Sequence, residues 1–186
     1  MTTVERAIQF AVFAHAGTKR KGKERPYILH PIEAMTIAAS LTEDEDVLAA
    51  AMLHDVIEDT NLNEEDIERE FGPRVKALVM AESEDKMKTM AASFSWKLRK
   101  QATIDHLKGI DREAKMVCLG DKLANLREIA RDYRQQGDAL WSRFNQKDKN
   151  EHAWYYRSVF EILAEAFKGE SAIAEYRALL KEVFES

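Results

Sequence analysis

The chain has 186 residues, 45% of them hydrophobic, which suits one ordinary folded domain with a sizeable core. No stretch approaches the roughly 20 apolar residues that a membrane span needs, and the opening MTTVERAIQF is charged where a signal peptide would be apolar. The formal net charge of −5 argues against broad attraction to nucleic acid, and the single cysteine, Cys118, fits a reducing compartment, so we expect a cytoplasmic protein without nucleic-acid or membrane partners.

The spacing of apolar residues predicts an almost wholly helical fold, interrupted by only seven glycines and three prolines, and strands are not indicated. The first helix is predicted over about Thr3–Ala16, and a basic loop, TKRKGKERP, follows it. Pro31 suits the first turn of a second helix, PIEAMTIAASL, with His30 just before it. The acidic segment TEDED is expected to cap a third helix, which runs through His54 and Asp55.

The remaining elements are also predicted to be helices. NEEDIEREFG and PRVKALVMAESEDK each form one, whereas residues 86–100 lack a clean apolar stripe and are interpreted as a loop. The long segment EAKMVCLGDKLANLREIARDY contains Gly120, whose cost of about 1 kcal/mol relative to alanine predicts either tight packing or close approach to a ligand. Two final helices, HAWYYRSVFEILAEAF and SAIAEYRALLKEVF, complete an all-α bundle that we treat as a single domain over residues 1–186.

The run AAAMLHDVIEDT carries the strongest chemical signal, because it places His54, Asp55, Glu58 and Asp59 on one short apolar helix. Residues four apart on a helix lie one above the other, so Glu58 is expected over His54 and Asp59 over Asp55. An imidazole beside a carboxylate can bind a divalent cation. Carboxylates one turn later can reach the water or substrate that the cation polarises, which predicts a metal-dependent site.

Two further residues extend this predicted site. His30 lies in PYILHP, and Asp121 lies in a mostly apolar helix, where an unpaired buried carboxylate would be costly. A cation of the manganese, iron or zinc type would give a partner to all four predicted ligands, His30, His54, Asp55 and Asp121. The alternative is that Asp121 pairs with Lys122 or Arg127 and that His30 only caps a helix.

The order of these residues resembles that of an HD-domain phosphohydrolase. Within that superfamily, the chain is most similar to the hydrolase domain of the RelA/SpoT enzymes and to the stand-alone small alarmone hydrolases. Three segments carry the resemblance over roughly residues 4 to 130: FAVFAHAGTKRKGKERPYILHPIEA, AAAMLHDVIEDTNLNEEDIEREFGPRVKALV and LGDKLANLREI. The resemblance implies a compact helical HD-domain bundle and a purine nucleotide substrate.

The resemblance also implies roles for individual residues. One divalent ion would be held by His30, His54, Asp55 and Asp121, usually Mn²⁺ in this family, with Zn²⁺, Fe²⁺ and Mg²⁺ as alternatives. Glu58 and Asp59 would orient and deprotonate the attacking water. Substrate contacts would come from Arg20, Lys21 and Asn125, and the pair Arg99 and Lys100 resembles a basic pair at a similar place.

Other residues that could affect substrate binding have no clear counterpart in the family. Tyr155, in the aromatic tail, is a candidate for reaching the nucleotide, although most tail aromatics are expected in the core. The basic residues of the 86–100 region are equally typical of a solvated face. Departures from the family pattern are the extra residue in KGKERPY, Lys122 where an arginine is usual, Ala124 where a histidine is frequent, and AESEDKM in place of a threonine-lysine pair. Substrate choice could therefore differ.

The favoured hypothesis is a metal-dependent enzyme that removes the 3′-diphosphate from guanosine 3′,5′-bis(diphosphate), ppGpp, or from pppGpp, leaving GDP or GTP and pyrophosphate. One alternative is an HD-domain phosphohydrolase of another nucleotide, such as the 2′-phosphate of NADPH or a deoxynucleotide. A second is a sensor that binds a nucleotide without turnover, against which the intact pair Glu58 and Asp59 argues. Nothing in the sequence predicts the oligomeric state.

Overall fold

A computed structural model describes residues 1–82 and 92–185. Across these residues the chain is helical without strands, since Lys19 and Pro26 form only an isolated bridge. The α-helices are α1 (Thr3–Ala14), α2 (Leu29–Ala38), α3 (Glu45–Leu53), α4 (Val56–Asp59), α5 (Glu64–Phe71), α6 (Pro73–Glu82), α7 (Ala92–Gly109), α8 (Arg112–Gln136), α9 (Lys149–Ala166) and α10 (Ser171–Phe184). A 3₁₀-helix spans Gly137–Arg143. The predicted all-α class is confirmed, and in the described part of the chain no helix combines the length and apolarity of a membrane span.

The chain forms two compact units. The first comprises Met1–Ser83 and Asp111–Ala124, and the second comprises Glu84–Ile110 and Asn125–Ser186. Helix α8 begins in the first unit and ends in the second. The single domain over residues 1–186 stays a prediction.

Helix α3 is the central element of the first unit, because it packs against α1, α2 and α6. Its sequence EDVLAAAML is buried from Ala49 to Leu53 without interruption. A helix that is apolar on every face is typical of a core position. The carboxylate of Asp44 accepts hydrogen bonds from the amides of Asp46 and Val47, so the helix begins where the acidic cap predicts. At its other end the C-cap residue, His54, is buried.

Local signals also fix the start of α5 and α6. Asn63 and Asp66 form a reciprocal capping box at the start of α5. Gly72, with φ of +86°, ends that helix, and Pro73 begins α6. Arg74 then ties α6 to two other helices through ion pairs of 2.8–2.9 Å with three carboxylates, those of Asp44, Asp46 and Glu113.

Two boundary predictions are wrong. Helix α2 begins at Leu29, so His30 lies inside its first turn rather than before it. Pro31 permits this start because the amides of a first helical turn have no intrahelical acceptor to lose. The loop predicted over residues 86–100 is wrong for residues 92–100, which form the first half of α7, while residues 83–91 lie outside the described part.

Aromatic packing in the second unit explains why α7 extends so far. Helix α9 packs against both α7 and α10. Trp96 of α7 is 7% exposed, and its ring centroid lies 5.3 Å from that of His152 on α9. Trp141 lies 5.0 Å from the same imidazole, and His152 Nε2 lies 2.9 Å from the carbonyl oxygen of Gln146. These tertiary contacts stabilise a helix whose own sequence pattern is weak.

Candidate active site

His54 and Asp55 lie at a break between two helices rather than inside one. Helix α3 ends at Leu53, His54 is its C-cap, and Asp55 is the N-cap of α4, with φ of −96° and ψ of −3°. The prediction of a single helix carrying both ligands is therefore wrong. Consecutive residues of an unbroken helix point about 100° apart, whereas His54 Nε2 and Asp55 Oδ2 lie 3.0 Å apart. The break lets both side chains reach one centre.

The four predicted ligands converge within the first unit. The Nε2 atoms of His30 and His54 lie 3.2 Å apart. Asp121 Oδ1 lies 3.1 Å from His30 Nε2 and 3.5 Å from His54 Nε2. Asp55 Oδ2 lies 3.4 Å from His30 Nε2. Ligand atoms of His30, His54 and Asp121 all lie within 4.8 Å of one another, close enough for these residues to hold a metal ion.

The chemistry of this donor set fits a divalent cation. His54 Nδ1 lies 2.8 Å from the carbonyl oxygen of Ala51, so we assign the proton to Nδ1, which leaves the Nε2 lone pair directed at the centre. Burial favours the neutral imidazole, but the carboxylates of Asp55 and Asp121 outweigh burial and raise the pKa of His54 well above its ordinary value. The raised pKa means that a second proton, on Nε2, is favoured at this centre, and a cation bound to Nε2 would supply the positive charge in its place.

Both carboxylates of the cluster are held in the ionised form. Burial by itself raises the pKa of a carboxyl group, yet the neighbouring imidazoles hold the pKa of Asp55 well below its usual range. Lys122 and the imidazoles do the same for the pKa of Asp121. The pairing of Asp121 with Lys122 that the sequence left open is present, with Nζ 2.5 Å from Oδ2. It coexists with the imidazole contacts, and Arg127 pairs instead with Glu175 at 2.7 Å.

Tyr27 is a site residue that the sequence analysis missed. Its hydroxyl donates a hydrogen bond to Asp55 Oδ2. Burial, together with the carboxylates of Asp55 and Asp59, raises the pKa of Tyr27 well above its usual range, so the hydroxyl keeps the proton that it donates. The only available signal was the place of Tyr27 in PYILHP, three residues before His30.

His15 also lies beside the site, packed against Tyr27. It is 3% exposed, its ring centroid lies 4.8 Å from that of Tyr27, and among the described residues neither ring nitrogen has a hydrogen-bond partner. Burial lowers the pKa of His15, so the imidazole is neutral near pH 7. The ring therefore keeps its full hydrogen-bonding capacity beside the site.

Helix α4 places Glu58 and Asp59 immediately after the predicted ligands His54 and Asp55. Glu58 is half-buried and Asp59 is exposed. The Asp59 amide donates to the carbonyl oxygen of Asp55 at 2.9 Å, and the Asp59 carboxylate lies close enough to Tyr27 to raise the pKa of its hydroxyl. The catalytic roles of Glu58 and Asp59 stay predictions.

Two of the predicted substrate contacts, Arg20 and Lys21, lie in the basic loop of the first unit. The Arg20 guanidinium carbon lies 5.3 Å from the ring centroid of Tyr27, which is the residue that contacts Asp55. The Arg20 amide donates to the carbonyl oxygen of Arg25 at 3.0 Å, so the loop folds back on itself. Lys21 is exposed.

The other predicted substrate contacts lie in the second unit. Lys100 Nζ lies 4.9 Å from the ring centroid of Tyr155, which is 4% exposed, and Arg99 Nε lies 3.3 Å from Ser95 Oγ. Asn125 is half-buried on α8. The substrate-binding roles of these residues stay predictions.

Gly120 allows α8 to approach α2 at the site. A Cβ atom at Gly120 would lie 2.5 Å from the carbonyl oxygen of Ala34. Of the two reasons predicted for this glycine, tight packing is therefore confirmed. Because Asp121 follows Gly120 and His30 lies one turn before Ala34, this approach brings the two predicted ligands together.

Comparison with known proteins decides the family. A family model described as an HD domain matches residues 7–149, well over half of the chain. The chain belongs to the HD-domain family. The break between α3 and α4, which holds His54 and Asp55, lies within the matched residues.

Individual relatives show which kind of HD-domain protein this chain is similar to. Guanosine-3′,5′-bis(diphosphate) 3′-pyrophosphohydrolase MESH1 of Drosophila melanogaster is 40% identical over 125 residues, which cover 66% of this chain and 66% of that protein. MESH1 of Xenopus tropicalis is 38% identical over 129 residues, covering 67% of this chain and 68% of its own length. A solved structure described as a metazoan ortholog of SpoT that hydrolyses ppGpp has a TM-score of 0.74 and 31% identity, covering 100% of this chain and 95% of that one. The predicted resemblance to the RelA/SpoT hydrolases is confirmed.

Proposed function

We propose that this HD domain removes the 3′-diphosphate from ppGpp or pppGpp, giving GDP or GTP and pyrophosphate. The convergence of His30, His54, Asp55 and Asp121 carries the proposal, in a chain whose relatives are named for this hydrolysis. The enzyme uses one divalent ion, which we propose to be Mn²⁺ rather than Zn²⁺, Fe²⁺ or Mg²⁺. The reaction takes place in the cytoplasm, a reducing compartment that suits the buried free thiol of Cys118.

The bound ion would polarise a water molecule and neutralise charge on the diphosphate. The chain's own residues orient the ligands: the Ala51 carbonyl fixes the ring of His54, and the Tyr27 hydroxyl fixes the carboxylate of Asp55. Glu58 orients the attacking water, and Asp59 shares in accepting the proton of that water. Because Asp59 is exposed, it can release this proton to solvent.

The substrate is strongly anionic, so it needs cationic partners. Arginine provides a planar fork for phosphate oxygens or a flat face for a base, and lysine provides a point charge. We assign these contacts to Arg20, Lys21, Arg99 and Lys100, with Asn125 and Tyr155 as further contacts to the nucleotide. The support for Arg20 is its position over Tyr27, directly beside the ligand Asp55.

The test is a comparison of nucleotides with purified protein and Mn²⁺. Incubation with ppGpp should release pyrophosphate and GDP, whereas NADPH and deoxynucleotides should be cleaved far more slowly. His54→Ala should abolish release, and the exposed His106→Ala should not. Full activity in His54→Ala would contradict the mechanism, and equal turnover of unrelated nucleotides would contradict alarmone specificity. A tight ppGpp complex without turnover after Mn²⁺ addition would favour the sensor instead.

A further inference from the structure

Lys122 lies between two buried carboxylates, one of which belongs to the metal site. Its Nζ lies 2.5 Å from Asp121 Oδ2 and 3.3 Å from Glu82 Oε2. The side chains of Glu82, Asp121 and Lys122 are only 6%, 10% and 12% exposed. The two oxygens of Asp121 therefore face different groups, because Oδ2 faces Lys122 while Oδ1 faces the imidazoles of His30 and His54.

Glu82 and the geometry of α8 hold Lys122 in this position. Cys118 and Lys122 are four residues apart on α8, so they share one face of the helix, and Glu82 from the end of α6 meets both. Burial raises the pKa of the Cys118 thiol well above its usual range, so the thiol keeps its proton and hydrogen-bonds to Glu82. A buried ammonium group needs close anionic partners, and the carboxylate of Glu82, whose pKa is raised by burial and lowered by Lys122, lies 3.3 Å from Nζ as the second carboxylate beside it.

We propose that Lys122, held by Glu82, is a positioning residue that reserves Oδ1 of Asp121 for the metal ion and keeps Oδ2 from joining it. The inference rests on the metal-binding role that the proposed function gives Asp121. A carboxylate that binds through one oxygen leaves a coordination position for water that a carboxylate binding through two oxygens would take. Lys122 would thus keep a place for the attacking water.

Lys122→Met tests this inference because it removes the charge and the hydrogen bonds but keeps the length of the side chain. We expect Asp121 to bind Mn²⁺ through both oxygens, so the water count of bound Mn²⁺, read from ¹⁷O-water broadening of its electron paramagnetic resonance spectrum, falls by about one. The Mn²⁺ Kd should fall roughly three- to tenfold, because a repelling cation is lost. The kcat for ppGpp should fall on the order of tenfold, with KM little changed.

Four further variants extend the test. Lys122→Arg offers donors to the same oxygen and should keep the wild-type water count. Glu82→Gln loosens Lys122 and should lower the water count in the same direction as Lys122→Met, but less, whereas the Mn²⁺ Kd should not fall, because the Lys122 cation remains and an anion is lost. Lys115→Met, on the same helix but outside the cluster, should change neither. If Lys122→Met does not fold because Glu82 loses its partner, the double variant Glu82→Gln/Lys122→Met removes both charges and carries the same expectation for the water count.

The outcomes separate this inference from the proposed function. Weaker Mn²⁺ binding by Lys122→Met with an unchanged water count would mean that Lys122 only stabilises the fold, and would overturn the inference. A wild-type chain that binds no Mn²⁺ would overturn it as well. A chain whose water count responds as expected but that leaves ppGpp intact would support the inference and contradict the proposed function.

Discussion

Replacement of Gly120 by alanine tests whether the close approach of α2 and α8 builds the site. The added Cβ would lie 2.5 Å from the carbonyl oxygen of Ala34, which is about 0.9 Å short of the 3.4 Å at which ordinary contact begins. The Cβ and the carbonyl oxygen are both fixed to the backbone, so neither can rotate away. The two helices must therefore move apart, and close-packed interiors resist such movement.

The size of the effect follows from two opposing terms. Overpacking of a well-packed interior costs about 1–3 kcal/mol, and the better helix propensity of alanine offsets about 1 kcal/mol of this. We expect the free energy of unfolding to fall by up to about 2 kcal/mol. The 3.1 Å separation between His30 Nε2 and Asp121 Oδ1 should widen. A displacement of about 1 Å at a catalytic site can cost about a hundredfold in rate.

Urea denaturation and pyrophosphate release from ppGpp measure the two effects. The matched control is Gly109→Ala at the end of α7, where no described atom lies within 4 Å of an added Cβ. That variant should retain both stability and activity. A Gly120→Ala protein as stable and as active as the wild type would refute the packing argument.

Three other predictions concern single side chains. Tyr27→Phe should lower kcat roughly tenfold but the unfolding free energy by only about 1 kcal/mol, because Asp55 loses its orienting donor; unchanged kinetics would count against this role. Arg74→Met should lower the free energy of unfolding, measured by urea denaturation, by about 1 kcal/mol, and by less at high salt, since the three ion pairs of Arg74 are partly exposed. A loss of stability that does not change with salt would contradict this. Because burial lowers the pKa of His152, this imidazole binds a proton more readily in the unfolded chain than in the folded one, so the free energy of unfolding should fall as pH drops from about 7 to 5. His152→Gln should remove this contribution to the pH dependence of the free energy of unfolding.

Local signals predicted where helices begin, because capping depends on neighbouring residues alone. Asp44, Asn63 and the Gly72-Pro73 pair all act as their residue types suggest. The same reasoning could not predict the break at His54 and Asp55. The run AAAMLHDVIEDT has a continuous helical pattern. The break within it depends on contacts with His30 and Asp121, which come from two distant segments of the chain.

Long-range burial explains the other misses. The start of α7 has no clean apolar stripe, yet Trp96 packs against aromatic rings of α9. Glu82 lies in AESEDKM, which the sequence marked as part of a predicted helix and as a departure from the family, and nothing local indicates that this carboxylate is buried beside Lys122. Tyr27 likewise gains its role only when Asp55 folds against it.

The central claim is that one divalent ion, held by His30, His54, Asp55 and Asp121, is required for cleavage of the alarmone. The most direct measurement is pyrophosphate release from ppGpp by the wild type and by Asp121→Asn after chelation and then re-addition of Mn²⁺. We predict that chelation stops release by the wild type, that one equivalent of Mn²⁺ restores it, and that Asp121→Asn stays inactive. Release that continues under chelation, or that Mn²⁺ restores equally in Asp121→Asn, would contradict the claim.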